Sequence, residues 1–134
     1  MFSTNISPRF LETDALGHIN NTVLPMWFES SRDSIFRMFT PDMDVNNWKL
    51  ILASYSVNFH AETHYGDDVK IRTYISRIGG ASFDVYQECW QNEIKTVSGV
   101  TTMVHFCHQT KKSMPLPSEI VAQMDQHMIE LPKP

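Results

Sequence analysis

The chain lacks several features that would have fixed its class at once. No apolar run approaches the roughly 20 residues of a membrane-spanning helix. No basic segment followed by an apolar run marks a secretory leader, so cytoplasm is the expected compartment and no membrane partner is expected. Positive charge is scarce: the formal net charge is -4 at pH 7. That argues against nucleic acid as a partner, because phosphate binding needs a positive surface. There are only two cysteines, Cys89 and Cys107, both inside strand-like stretches. Without the paired spacing of a metal knuckle or redox motif, a reduced pair is expected. No Gly-x-Ser-x-Gly elbow is present, which leaves a serine hydrolase unsupported. Repeats and low-complexity segments are absent as well.

The histidines do not repair the lack of a metal motif. His60 and His64 lie four apart on a predicted strand, hence about 13 Å apart on one face, too far for one zinc ion. His105 and His108, three apart, point to opposite sides if extended. This spacing leads to no metal site, and no cofactor is expected.

What is present is a chain of 134 residues, 42% hydrophobic and 19% charged. That is one domain, 1–134, with enough apolar content for a core. Residues 2–12 read as a first strand, with Pro8 forcing an edge or bulge because it cannot donate to a ladder. Residues 13–21 form a polar break holding Asp14, Gly17, His18, Asn20 and Asn21. From about Thr22 the period becomes helical. Val23, Trp27, Ser31, Ile35 and Met38, flanked by Leu24, Phe28 and Phe39, make one stripe, and Glu29, Arg32, Asp33 and Arg37 lie opposite. Asn21 or Thr22 can cap this helix, Pro25 falls in its first turn, where it costs no hydrogen bond, and Pro41 ends it near Phe39. One helix of about 18 residues is therefore expected.

After a polar loop at 40–48 the alternation is β for some sixty residues. Gly66-Asp67-Asp68, Gly79-Gly80 and Asn92-Glu93 mark the turns. Four antiparallel strands in meander order follow from that pattern. Ser118 is read as the cap of a short helix to about His127, and Leu131–Pro134 as a frayed tail. The fold class is α+β: a curved antiparallel sheet of about five strands wrapped around one long central helix, since neither can bury its apolar face without the other. One helix covers only one face of such a sheet, so a homodimer or homotetramer is expected.

The segment Glu12-Thr13-Asp14-Ala15-Leu16-Gly17-His18-Ile19-Asn20-Asn21, followed by Trp27-Phe28-Glu29-Ser30-Ser31-Arg32, resembles the hotdog-fold acyl-CoA thioesterases, in particular the 4-hydroxybenzoyl-CoA thioesterase-like group. Tyr65-Gly66-Asp67-Asp68-Val69 and Ser76-Arg77-Ile78-Gly79-Gly80-Ala81-Ser82-Phe83 resemble that family's later turn and hairpin, so the likeness runs from about residue 3 to 108. One departure is visible: Leu24, followed by Pro25, stands where members often carry a tyrosine.

The resemblance implies hydrolysis of an acyl-CoA to a free acid and CoA, with Asp14 as nucleophile or general base. Such chemistry needs a carboxylate on one side of the thioester carbonyl and aimed donors on the other. The backbone between Gly17 and Asn21, at the positive end of the helix dipole, is the expected oxyanion site. Gly17 lets the backbone approach the acyl group, and His18 either donates to the thioester oxygen or orients the turn. Asn20 and Asn21 divide between capping and contact. Glu29 is a rival base, with an ion pair to Arg32 as its plainer role. For the CoA moiety the candidates are Arg77, Gly79, Gly80 and Ser82, with Lys70 nearby; for the acyl pocket, Trp27, Phe59 and Met103, each more often plain core. The alternatives are an acyl-carrier-protein thioesterase and a non-catalytic acyl-CoA-binding protein.

Overall fold

The computed structural model describes residues 1–132. A first strand, β1 (Phe2–Ile6), leads through a 3-10 turn (Phe10–Glu12) and an irregular loop into two helices, α1 (Val23–Ser30) and α2 (Asp33–Phe39). Four strands follow: β2 (Leu50–Phe59), β3 (Val69–Ile78), β4 (Ser82–Gln91) and β5 (Ile94–Cys107). A two-residue strand β6 (Lys112–Ser113) and a helix α3 (Ser118–Asp125) close the chain.

The strand order is β1-β3-β4-β5-β2, with β6 on the end of β5. The expectation of a simple meander is corrected here. Only β3, β4 and β5 meander, whereas β2 crosses the molecule and pairs antiparallel with β5, Leu50 opposite His105 and Phe59 opposite Val97. Alternation along a strand says which side chains face the core, but not which neighbour the strand takes. The first strand is also shorter than 2–12: Pro8 follows its end, and Phe10–Glu12 coil instead. The edge of β3 beyond β1 is taken by the C-terminal segment, where the Ile75 amide donates to His127 O at 2.9 Å and the Ile129 amide to Ile75 O at 2.8 Å. The tail is thus docked up to that point; Leu131 and Pro132 have no regular structure, and Lys133–Pro134 lie outside the described residues.

The expected single helix is two. One apolar cluster sits under α1, with Val23, Leu24, Trp27 and Phe28 packed on Val69, Ile71, Cys89 and Val97. A second sits under α2 and α3, with Ile35, Phe39 and Met124 on Ile75, Phe83, Val85 and Met103. Between the clusters the concave face of the sheet is polar: Thr73, Gln87 and Thr101 are all buried. The helix breaks over this belt. Gln87 Nε2 donates to Phe28 O at 2.8 Å, and Thr73 Oγ1 to Ser31 O at 3.3 Å. These carbonyls find partners on the sheet, so interruption of the helix leaves neither orphaned. Arg32, expected on the exposed side, is carried inward by the break and is only 6% exposed.

Two smaller readings also shift. Helix α3 starts at Ser118 with Pro117 as its N-cap, so Ser118 is not the cap. Cys89 and Cys107 are both free thiols, as expected, and burial pushes the Cys89 thiol up. No helix among the described residues is long and apolar enough to cross a membrane.

Candidate active site

The polar break before α1 folds as a tight loop tied at its base. Thr13 and Ile19 form an antiparallel bridge, and the Asp14 amide donates to His18 O at 2.7 Å. Asp14 then closes its own loop, a common Asp habit: its Oδ1 accepts from the Leu16 amide at 2.7 Å and the His18 amide at 3.1 Å. Gly17 stands at φ 80°, where a Cβ would be strained. Asp14 Oδ2 makes no hydrogen bond among the described residues and lies 3.9 Å from His18 Nδ1. The carboxylate therefore holds the turn with one oxygen and leaves the other without a hydrogen bond among the described residues, and Asp14 borders a cleft of about 410 Å³. That cleft is walled by Asp14, His18, Asn21, Leu24, Phe59 and Glu62, among others.

The expected oxyanion nest of Gly17 to Asn21 is mostly spent. The His18 amide serves Asp14, the Ile19 amide donates to Thr63 O at 2.7 Å, the Asn20 amide to Glu12 O at 2.9 Å, and the Gly17 amide points at Asp14 O from 3.5 Å. Thr22, one of the two expected caps, is the N-cap of α1 but makes no side-chain cap hydrogen bond. Asn20 supplies the side-chain acceptor instead, its Oδ1 accepting from the Thr22 amide and hydroxyl, each at 3.0 Å, and its carbonyl from the Val23 amide at 3.0 Å. Among the described residues the amides of Asn21 and Leu24 have no partner, and both residues line the cleft. These are the donors that the helix N-terminus leaves over.

Glu12 fixes this assembly from behind, a role not foreseen in the sequence. Its side chain is 5% exposed. Oε1 accepts from the Arg9 amide at 2.7 Å, and Oε2 from the Trp27 indole at 2.9 Å and the Arg9 guanidinium at 3.5 Å. Burial pushes the Glu12 pKa up, but those hydrogen bonds, with the charge of Arg9, outweigh it and hold the carboxyl below the usual range. Trp27 is consequently core: 5% exposed, with its N–H committed to Glu12, it lines no part of the cleft. Its expected role in substrate binding finds no support in that position.

A second, smaller cavity of about 140 Å³ lies further along α1, between Pro25, Met26, Phe28, Glu29 and Arg32 and the strand residues Leu52, Tyr55 and Val57. Arg32 Nη1 reaches Gln87 Oε1 at 3.1 Å and Thr101 Oγ1 at 3.3 Å, while Nε is buried without a partner. Burial pulls its pKa down, opposed by the charge of Glu29. The expected Glu29–Arg32 ion pair does not form within 4 Å among the described residues; Glu29 is exposed.

The structure brings Asp14, Gly17, His18, Asn20, Asn21 and Phe59 together. It does not bring the hairpin to them. Arg77 pairs with Asp84 at 2.9 Å and with Ser82 Oγ at 2.9 Å. With Gly79 and Gly80 it sits at the far end of β3, a ten-residue strand, about 30 Å long, away from the turn. Met103 is core under α2. What the sequence did not disclose is the partner strand of the turn: His18 and His64 form an isolated antiparallel bridge. His18 Nε2 is 3.0 Å from Glu62 Oε2, and the His18 and His64 rings meet edge to face at 5.0 Å. No spacing argument could find this, because the three residues meet only when the 60–68 loop folds back on the turn.

Residues 8–124 match the model of the thioesterase-like superfamily. A protein from Bacillus stearothermophilus, described as a predicted thioesterase, is 37% identical over 98% of each chain, with a TM-score of 0.94. A thioesterase from Thermus thermophilus, solved with coenzyme A and zinc, shares the fold at a TM-score of 0.81 and 23% identity, over 91% of this chain and 95% of that one. Among curated proteins, an uncharacterised Bacillus subtilis protein, YsmA, is 26% identical over 85 residues, which is 63% of this chain and only 58% of that relative's length. The curled sheet around its helices is the hotdog fold, and the chain belongs to the thioesterase-like superfamily.

Proposed function

We propose that this protein hydrolyses acyl-CoA thioesters to a free carboxylic acid and CoA. The observation that carries the reading is the division of labour at Asp14: Oδ1 is used up by the loop, Oδ2 has no hydrogen bond among the described residues, and Asp14 shares the lining of one cleft with Asn21 and Leu24 at the start of α1. In this reading a carboxylate and unspent amides act on a thioester carbonyl bound in the cleft that they share. Water attacks the carbonyl carbon and gives its proton to Asp14. The negative charge on the carbonyl oxygen is met by the Asn21 and Leu24 amides and the dipole of α1. Collapse of the tetrahedral species breaks the carbon–sulfur bond, and the departing thiolate takes the proton back from Asp14. Direct attack by Asp14 through an anhydride uses the same geometry; incorporation of labelled water oxygen in a single turnover separates the two routes.

A homodimer suits this reading. Strand β2 is a ten-residue edge with Ile51, Leu52, Tyr55 and Phe59 all 40% or more exposed. Long apolar edges of this kind are templates for pairing. Antiparallel pairing of β2 with its own copy across a two-fold axis places the partner's β3–β4 hairpin at the Asp14 end of the doubled sheet. The roles expected of Arg77, Gly79, Gly80 and Ser82 toward CoA then belong to that arrangement. Carried within one chain they have no support, because the hairpin is a strand's length away.

The test is thiol release over short, medium, long and aryl acyl-CoAs, in chelator-treated buffer. Turnover on at least one class is expected; absence of release from all of them would sink the proposal.

A further inference from the structure

Beside the catalytic turn is a cluster that the proposed reaction does not use. One ligand atom each from His18, Glu62 and His64 lie within 4.8 Å of one another. We propose that these three side chains form a binding site for a divalent transition-metal ion of the zinc class, with Asp14 behind it.

The chemistry of the donors fits. Two imidazoles and one carboxylate are the set that zinc takes when it keeps an open position, with bonds of about 2.0–2.2 Å and thus ligand atoms roughly 3.3 Å apart. Closing from the present spacing needs only side-chain rotation. His18 Nε2 and Glu62 Oε2 already stand at 3.0 Å. Glu62 is 65% exposed at its side chain, free to swing about an ion.

The backbone holds the two histidines for this. They are directly opposite each other in an antiparallel bridge, and such pairs keep their Cβ atoms about 4.5–5.5 Å apart on one face. The Gln91 side chain grips His64 from both sides, accepting from its amide at 2.9 Å and donating to its carbonyl at 2.8 Å. The Ile19 amide, next to His18, is fixed to Thr63 O at 2.7 Å, next to His64. The frame is therefore rigid while the donor atoms stay accessible.

The far side of His18 completes the arrangement. Its Nδ1 faces Asp14 Oδ2 at 3.9 Å. Metal-ligating histidines commonly direct their second ring nitrogen at a carboxylate, which fixes the tautomer and makes the ligating nitrogen a better donor. With the ion in place Nδ1 keeps its proton and Nε2 gives its lone pair to the metal. The ion would then sit at the rim of the cleft with one coordination position open to solvent or to a substrate oxygen.

Binding is testable without turnover, so its outcome is separate from that of the hydrolase proposal. Chelator-stripped protein is titrated with Zn²⁺ by calorimetry and with Co²⁺ by visible absorption, which reports tetrahedral coordination. The expected result is one equivalent bound at micromolar Kd or tighter, with an intense Co²⁺ band. His64→Ala and Glu62→Gln, both at exposed positions, should each weaken binding at least tenfold and bleach the band. No stoichiometric binding overturns the proposal. So does binding that persists unchanged in both variants, which would put the ion on the other imidazoles, His60, His105, His108 or His127.

Discussion

Replacing Glu12 by glutamine tests the latch behind the turn that holds Asp14, and its size follows from the contacts. The carboxylate accepts the Arg9 amide on one oxygen, at 2.7 Å, and the Trp27 indole on the other, at 2.9 Å. A glutamine has one acceptor oxygen, so whichever way it is set its NH₂ faces one of those donors. The loss is one charge-assisted hydrogen bond in a buried place, about 1.5–3 kcal/mol. With an unfolding entropy near 2.1 cal/mol/K per residue, this chain should lose roughly 5–10 °C in Tm. The pH dependence has a definite sign. The folded pKa of Glu12 lies below its ordinary value of 4.5. Its stabilisation is therefore fully present above that value and is lost as pH falls through the lower folded one. The gap between wild type and Glu12→Gln should be full at pH 7 and close progressively below about pH 4.5. Urea unfolding followed by tryptophan fluorescence, at pH 7, 5.5, 4.5 and 3.5, measures it. Trp27→Phe should couple to Glu12→Gln by about 1–2 kcal/mol in a double-mutant cycle. A variant as stable as wild type at pH 7, or a gap unchanged at pH 3.5, refutes the reasoning.

Three further outcomes follow from the same structure. Gln87→Leu leaves Phe28 O without this partner and Arg32 Nη1 with Thr101 Oγ1 alone, and should cost about 2–4 kcal/mol in urea, part of which Arg32→Met added to it recovers by removing the under-partnered charge. Gly99→Ala puts a Cβ 3.0 Å from Ser56 O and 3.1 Å from Phe28 Cε2, and the forced shift should cost about 1–3 kcal/mol, read as a lowered Tm. Leu52→Lys on the exposed edge of β2 should convert a dimer to a monomer at micromolar concentration, read by light scattering; a wild type already monomeric there contradicts the β2 pairing.

The sequence disclosed the strands and the turn for a physical reason: both are written in local pattern. Alternation marked the β region after the loop at 40–48, and the turns at Gly66, Gly79-Gly80 and Asn92-Glu93 fell where they were read. Asp14 and the asparagines stood out because a polar break between periodic segments is a local signal too. What stayed hidden depends on contacts distant in sequence. The carbonyls at the helix break at Ser31–Arg32 find their partners in Thr73 and Gln87, some 40 to 60 residues later. The place of β2 beside β5, the burial of Glu12 against Trp27, and the meeting of His18 with His64 have the same character. The expected nest failed for the opposite reason. Its amides were counted as free although Asp14, Glu12 and Thr63 accept from them in the folded chain.

The most direct test of the central claim compares Asp14→Asn with Asp14→Ala and wild type in thiol release, on whichever acyl-CoA the wild type cleaves fastest. Asparagine keeps the Oδ1 acceptor that holds the Leu16 and His18 amides and removes only the free carboxylate oxygen. Asp14→Asn should therefore fold with wild-type Tm and lose about 10²- to 10⁴-fold in kcat, while Asp14→Ala loses activity and some stability together. An Asp14→Asn enzyme as fast as wild type would contradict the account, because the oxygen assigned to the attack would then be dispensable.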